Sequence, residues 1–322
     1  MRWNRQFDLE FQMVNIALNT NDNNLSASGN PLWEILYTRK GLKEFMENEG
    51  FFMSKALGQN FLINRNLMNS VLDACDFPTA GTVIEIGPGI GHLTWLLLER
   101  GVKVVAVEKD QLFAERLAVW RERWGFSESQ LTIIHQDALE TDFGALAKEH
   151  QVQHIIGNLP YNVSVPILFR LSYSGYPFES LCAMVQKEVG ERILANAKNP
   201  QYGRLSIVLK YLFDVRKIAT IAPSAFFPSP KVDSAFLKFV PRPGADSQFA
   251  RLFLERAAFI GFMHRRKKLR KNLQGSIVQK RVLTGLLPDM ENHFNLDCRA
   301  EDWTVDEWVR FAEYVRDCPP EE

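Results

Sequence analysis

Apolar residues along the chain fall into short blocks of two kinds. Compact apolar runs bounded by Gly, Pro or charged positions predict strands at Thr82–Ile86, Lys103–Val107, Leu131–His135, His154–Gly157, Leu181–Gln186 and Leu205–Leu212, and a further one at Ser234–Val240 after a Pro-rich loop. Between the first five lie stretches with helical spacing. The clearest is Gln111–Trp124, where Leu112, Leu117, Val119 and Trp120 fall on or near one face. Such alternation predicts an α/β fold: a doubly wound, Rossmann-like parallel sheet with helices on both faces, over roughly residues 50–242. The segment PRPGADS (241–247) reads as a linker. Beyond it, Phe249–Phe262, Arg265–Gly275, Val278–Leu287 and Val305–Asp317 read as helices with no strand pattern, a small all-α region. Upstream, Leu32, Trp33, Leu36, Leu42, Phe45 and Met46 recur at helical spacing, which predicts one or two short amphipathic helices docked on the main domain. Residues 1–30 are rich in Asn, Asp, Ser and Gly and read as a flexible extension. The expected division is therefore 1–30, 31–242 and 243–322.

A length of 322 residues suits two domains, and 46% hydrophobic with 24% charged residues is the profile of a globular chain. No apolar run approaches the ~20 residues needed to cross a bilayer. The N-terminal MRWNRQFDLE lacks the apolar core of a signal peptide, so a cytoplasmic protein is expected. Cys75, Cys182, Cys298 and Cys318 are far apart, and the six histidines show no ligand spacing, so neither disulfides nor a metal site is expected. Lys+Arg and Asp+Glu are both 38, but the charges are unevenly placed. Residues 251–281 hold ten basic side chains against one acid, and residues 282–322 hold three against eleven acids. A basic stretch beside an acidic tail fits polyanion binding, and equally a solvated helix face neutralised by the tail.

Chemistry enters at VIEIGPGIGHLT (83–94), a strand that runs through Gly87, Gly89 and Gly91 into a helix. Glycines there let the backbone turn and approach a ligand, and the helix start offers free N–H groups. The next strand ends in Glu108, an acid placed to accept hydrogen bonds from both hydroxyls of an unphosphorylated ribose. The spacing is GxGxG, not the GxGxxG that seats a pyrophosphate, so a nucleoside without phosphates fits better, and S-adenosylmethionine is the obvious one. Asp137, at the third strand's end, could accept from the adenine amino group of that cofactor, or simply cap the next helix. The fourth strand ends in Asn158-Leu159-Pro160-Tyr161. The N6 lone pair of adenine is delocalised into its ring, which makes the amine a poor nucleophile. Acceptors at the Asn158 side chain and the Leu159 carbonyl would favour a pyramidal nitrogen with its lone pair aimed at a methyl donor. Pro160 stiffens the turn, and Tyr161 offers a face on which a base can stack. In the loop PSAFFPSPKVDS (223–234), Phe226 or Phe227 could supply the opposite face, or be core.

These segments resemble the KsgA/Dim family of rRNA adenine dimethyltransferases over about residues 38–285. The likeness is carried by LGQNFL (57–62), EIGPGIGHLT (85–94), Glu108, QDA (136–138), GNLPYNVSVPIL (157–168), MVQKEVGERI (184–193), YGRLSI (202–207), PSAFFPSPKVDS (223–234) and RRKKLRKNL (265–273). The resemblance implies a class I methyltransferase domain that uses S-adenosylmethionine, without a metal, to dimethylate N6 of two adjacent adenines in the 3′-terminal hairpin of small-subunit (16S) rRNA. It implies cofactor contacts at Asn60, Leu62, Gly87, Gly89, Glu108, Asp137 and Asn158. A target site follows at Asn158, Leu159, Pro160 and Tyr161, with Phe226 as second stacking ring around a flipped adenine. The helical region, through Arg265, Arg266, Lys267, Lys268, Arg270 and Lys271, would bind rRNA of the assembling small subunit, and a monomer is expected. Residues 1–37 have no counterpart in the resemblance, and the acidic last 35 or so match weakly. They could fold back on the basic helix. Three rivals stand beside this reading: an Erm-type enzyme acting on large-subunit rRNA, a non-catalytic nucleic-acid-binding relative, and an NAD-dependent dehydrogenase. The GxGxG spacing and the lack of an evident catalytic His or Tyr/Lys pair count against the last.

Overall fold

In the computed structural model, residues 32–51, 60–77, 79–274 and 287–317 are described, so the 1–30 extension and most of the expected helix at Val278–Leu287 lie outside them. The strands are β1 Phe61–Leu62, β2 Thr82–Ile86, β3 Lys103–Glu108, β4 Leu131–His135, β5 His154–Asn158, β6 Ser180–Gln186, β7 Phe213–Ile221, β8 Phe226–Phe227 and β9 Ser234–Pro241. Seven of them form one sheet in the order β4-β3-β2-β5-β6-β9-β7, and β1 pairs with β8 in a small antiparallel sheet. β4, β3, β2, β5 and β6 are parallel, while β9 runs antiparallel to both β6 and β7. The sheet is therefore mixed, not wholly parallel.

The central strands read as unbroken apolar runs because both of their faces are covered. Val83, Val104, Ala106, Ile156, Cys182 and Met184 point into one core. The alternate positions Ile84, Val105, Val107, Ile155, Leu181 and Ala183 point into the other. The first core is closed by α1 Arg39–Asn48, α2 Arg65–Ala74, α3 His92–Glu99 and α4 Gln111–Arg123. The second is closed by α5 Phe143–His150, α6 Ser164–Ser172, α7 Lys187–Leu194 and α8 Arg204–Leu212. A 3-10 turn, Leu32–Tyr37, precedes α1, so both short N-terminal helices exist, and Thr38 caps α1 by accepting from the Gly41 N–H.

Two sequence expectations are corrected. Leu205–Leu212 is helix α8, and the strand is the following Phe213–Ile221. Leu205, Val208, Leu209 and Leu212 follow i, i+3, i+4, i+7 spacing into the second core, while Ile207 packs into a third, helical core. Burial on both sides produced the apolar run that reads as a strand. The basic helix also starts later than expected: α9 Glu255–Gly261 ends before the basic run, residues 262–267 form turns and a bend, and α10 begins at Leu269 and is described as far as Gln274. Arg265, Arg266 and Lys267 thus sit on a turn. α11 Leu287–His293 and α12 Val305–Asp317 complete the helical region, whose core combines Leu254, Ala258, Trp308 and Phe311 with Tyr202 and Ile207 from before the linker.

Candidate active site

The ends of β2, β3, β5 and β6 meet at a cavity of about 240 Å³, beside the point where strand order reverses between β2 and β5. An open α/β sheet leaves its ligand crevice there. On one side stands the glycine loop. The Gly87 N–H donates to the Val107 carbonyl at 3.0 Å, tying the loop to β3. Gly89 has a φ of 58°, and its N–H donates to Glu108 Oε2 at 2.9 Å. A Cβ on Gly89 would lie 2.6 Å from the Phe61 ring, so both conformation and space require glycine there. Glu108 is buried, and its other oxygen accepts from the Asp110 N–H at 2.8 Å. Burial raises its pKa, and those N–H bonds oppose the rise.

Two residues of this wall were not singled out in the sequence. Glu85 lies mid-strand in β2 on the face of the first core, only 2% exposed, and accepts from the Thr94 hydroxyl at 2.6 Å. Burial pushes its carboxyl up to about 8. Its signal was available: one acid inside the apolar strand TVIEI. His92, at the start of α3, is 4% exposed, and burial holds its pKa down at about 4, so the ring is neutral. Its Nε2 bonds the Leu36 carbonyl at 2.8 Å, which makes Nε2 the protonated nitrogen and leaves Nδ1 as a buried acceptor without a partner. The ring stacks on Phe61, with centroids 5.4 Å apart and planes 21° apart. Glu85, Glu108 and His92 all line the cavity. Leu62, Met68, Leu72, Ile156 and Phe236 add apolar lining to the same cavity. Acceptors set among apolar side chains suit a ligand that carries hydroxyl and ammonium donors on an apolar frame, and S-adenosylmethionine is such a ligand.

Beside the glycine loop, at the end of the neighbouring strand β5, Asn158, Leu159, Pro160 and Tyr161 all line the same cavity. The Leu159 N–H donates to the Met184 carbonyl at 3.1 Å and the Val163 N–H to Pro160 at 3.1 Å, so the tetrapeptide is a fixed turn at the start of α6. Asn158 Nδ2 donates to the Asn60 carbonyl at 2.9 Å, which commits the amide nitrogen and leaves its oxygen as acceptor. The Tyr161 hydroxyl and Ser234 Oγ share a hydrogen bond of 2.5 Å, and burial raises the phenol's pKa. Asn60 and Leu62 line the cavity as well.

Asp137 and Phe226 are placed differently from the expectation. Asp137 is off the cavity wall; one oxygen accepts from the Leu139 N–H at 2.9 Å, as a turn cap does, and the other pairs with Lys109 Nζ at 2.6 Å. Lys109 itself lines the cavity, and the pairing lowers the pKa of Asp137. Phe226 has no exposed surface, because its pairing with Leu62 across β1 and β8 turns the ring into the first core. Phe227 is half-buried at the edge of the same core, with Lys43 Nζ 5.7 Å above its ring. In the basic segment, Arg265 pairs with Glu301, Lys268 with Asp297, and Arg270 with Glu291 and Asp297. All three acids come from the acidic stretch. Arg266, Lys267 and Lys271 are exposed and have no ion pair among the described residues.

The sequence profile of the ribosomal RNA adenine dimethylase family matches residues 50–317. The chain belongs to that family. The match includes the glycine loop, the Asn158–Tyr161 turn and the helical region, and it extends beyond residue 285, where the motif resemblance ended. This dimethylase is similar to named relatives. It is 36% identical over 273 residues to a ribosomal RNA small subunit methyltransferase A of Colwellia psychrerythraea, covering 84% of this chain and 87% of the relative. It is 35% identical over 278 residues to the protein of that name from Pectobacterium atrosepticum, covering 84% and 97%. In fold it is similar to a dimethyladenosine transferase from Plasmodium falciparum, with a TM-score of 0.65, 24% identity, and 79% and 96% coverage. It is also similar in fold to the 23S rRNA methyltransferase ErmE, with a TM-score of 0.54, 19% identity, and 80% and 100% coverage. The 3-10 turn and α1 of the dimethylase precede the matched span.

Proposed function

We propose that this enzyme methylates N6 of two adjacent adenines in the 3′-terminal hairpin of small-subunit rRNA, twice each, with S-adenosylmethionine as donor. The observation that carries the reading is that the Asn158–Tyr161 turn and the glycine loop line one cavity. When bound, S-adenosylmethionine supplies an electrophilic methyl group on a sulfonium. Glu108 takes the ribose hydroxyls, and Glu85 and the His92 ring stand on the same wall for the donor's polar end. Asn158 Oδ1 and the Leu159 carbonyl accept the N6 hydrogens, which holds the nitrogen pyramidal. Tyr161 stacks on the base and holds it in line, so the rate comes chiefly from positioning. The target base must leave its helix to reach this cavity.

Arg266, Lys267 and Lys271 contact rRNA phosphates, and Arg265, Lys268 and Arg270 are held in place by their acidic partners. The expected partner is the assembling small subunit, the expected site of action the cytoplasm, and the expected state a monomer. Among the described residues no helix is long and apolar enough to cross a membrane. The names of the curated relatives favour the small subunit over the large one. Transfer of labelled methyl groups to unmodified small and large subunits tests the choice. Label confined to small subunits supports the reading; label in large subunits moves the enzyme to the Erm class, and cofactor binding without transfer makes it a binding protein.

A further inference from the structure

The segment Leu32–Asn48, upstream of the family match, touches both the cofactor wall and the 223–229 loop, which pairs through β8 with β1, where Phe61 and Leu62 line the cavity beside the Asn60 carbonyl that holds Asn158. On the cofactor side, the Leu36 carbonyl holds His92 Nε2, and the Tyr37 hydroxyl donates to the His92 carbonyl at 2.6 Å. Trp33 Nε1 donates to Glu99 at 2.9 Å, and Arg65 pairs with both Glu34 and Glu99, which fastens the segment to both ends of α3. On the loop side, Arg39 Nη2 donates to the Ser224 carbonyl at 3.0 Å, the Phe226 carbonyl at 3.3 Å and Ser229 Oγ at 3.2 Å. One turn further along α1, Lys43 sits over the ring of Phe227. At its far end, Glu49 accepts from Trp120 Nε1 at 3.1 Å and pairs with Arg116 and Arg123 of α4. Rings of Phe45 and Trp120, 5.0 Å apart, pack the helix down.

We infer that Arg39 is a positioning residue for methyl transfer: through it, the braced helix α1 holds the 223–229 loop in register with the cofactor wall. This inference rests on the methyltransferase reading of the cavity. Between its ends, the loop from Ala222 to Ser234 is held by a short 3-10 turn, the two-residue pairing of β8 with β1, the Ile63 N–H donated to the Ala225 carbonyl at 2.9 Å and the Phe226 ring buried in the first core; its tip at Ser229 lies beyond all of these. Arg39 Nη2 shares its two N–H groups among two backbone carbonyls and one hydroxyl and so ties three points of the loop to α1, a further anchor from a single charged nitrogen. The other end of the same segment is locked to His92, so the loop and the cofactor wall are referred to one rigid element.

The test compares wild type, Arg39→Ala and Arg39→Lys in the full chain, by two independent readouts. Hydrogen exchange of residues 224–229 is expected to speed up in Arg39→Ala, with residues 83–94 unchanged, and to be partly restored in Arg39→Lys. Steady-state methylation of small subunits is expected to lose about 10- to 100-fold in kcat/KM for RNA, because misplacement of about 1 Å costs up to that much, with cofactor Kd within twofold. Unchanged exchange in the loop overturns the anchoring role. Faster exchange with unchanged kcat/KM, or an equal loss of cofactor affinity, overturns the positioning role in favour of a purely structural one. If wild type transfers no methyl group to small subunits, the proposed function fails, and the exchange comparison still decides whether Arg39 anchors the loop.

Discussion

Replacing Glu85 by Gln keeps the shape of the side chain and its bond from the Thr94 hydroxyl while removing its charge. Burial raises the folded carboxyl from its ordinary 4.5 to about 8. At about 1.4 kcal/mol per pH unit, ionising it in place costs about 5 kcal/mol. Below pH 4.5 the carboxyl is protonated in both folded and unfolded chains and contributes no pH dependence. Between 4.5 and 8 the unfolded chain has released the proton that the folded chain keeps, so the wild type loses stability as pH rises through this window. Glu85→Gln lacks that loss. Urea denaturation of the cofactor-free proteins should show the variant gaining on wild type by about 3 kcal/mol between pH 5.5 and 7.5, and by little more above 8. A difference that does not vary with pH would mean that Glu85 is already ionised in the folded protein and would refute the reasoning. Titration calorimetry in buffers of different ionisation enthalpy gives the functional counterpart. If the carboxylate meets the ammonium of S-adenosylmethionine, binding near pH 7 releases a proton from the wild type and none from Glu85→Gln.

His92 carries the opposite sign. Its folded pKa of about 4 lies below the ordinary 6.5, so stability is complete above 6.5 and falls as pH drops toward 4, by about 3 kcal/mol in total; His92→Gln should flatten that acid limb in urea titrations at pH 4–7, and an unaltered limb assigns it to other groups. Tyr161→Ala should lower kcat/KM for RNA by about 10- to 100-fold through a lost stack worth ~1–3 kcal/mol, with Tyr161→Phe much closer to wild type; unchanged kinetics in Tyr161→Ala would place the base elsewhere. Arg266→Gln with Lys267→Gln should weaken rRNA binding and reduce the slope of log affinity against log salt by up to about 2 in filter-binding assays, and an unchanged slope would remove both from the RNA contact.

The strands that build the cavity were legible because each is buried on both faces and bounded by turn residues, and the glycine loop, Glu108 and the Asn158–Tyr161 turn follow at their ends. α8 was not legible as a helix: its sheet-facing residues and Ile207, which faces the helical core, merge into one apolar run. The exposure of Phe226 could not be read either, since FF within a loop does not say which ring a two-residue strand pairing will turn inward. Asp137 shows the same limit, because a strand-end acid has the same spelling whether it caps a turn, pairs with Lys109 or meets a ligand. Glu85 and His92 depend on burial, which pattern alone assigns to neighbours rather than to an acid or an imidazole. The acidic stretch was legible as a charge imbalance that could fold back on the basic segment, and Glu291, Asp297 and Glu301 do so; which of the basic side chains they pair with depends on the packing of the helical region.

The central claim is that the Asn158–Tyr161 turn activates the adenine amine. Mass spectrometry of nucleosides and fragments from unmodified small subunits, incubated with S-adenosylmethionine and either wild type or Asn158→Ala, tests it most directly. The account predicts N6,N6-dimethyladenosine at two adjacent positions of the 3′-terminal hairpin with wild type. With Asn158→Ala it predicts a loss of about 100-fold or more in rate while the variant still binds the subunit. Wild-type turnover by Asn158→Ala, or methyl groups at any other atom or site, would contradict it.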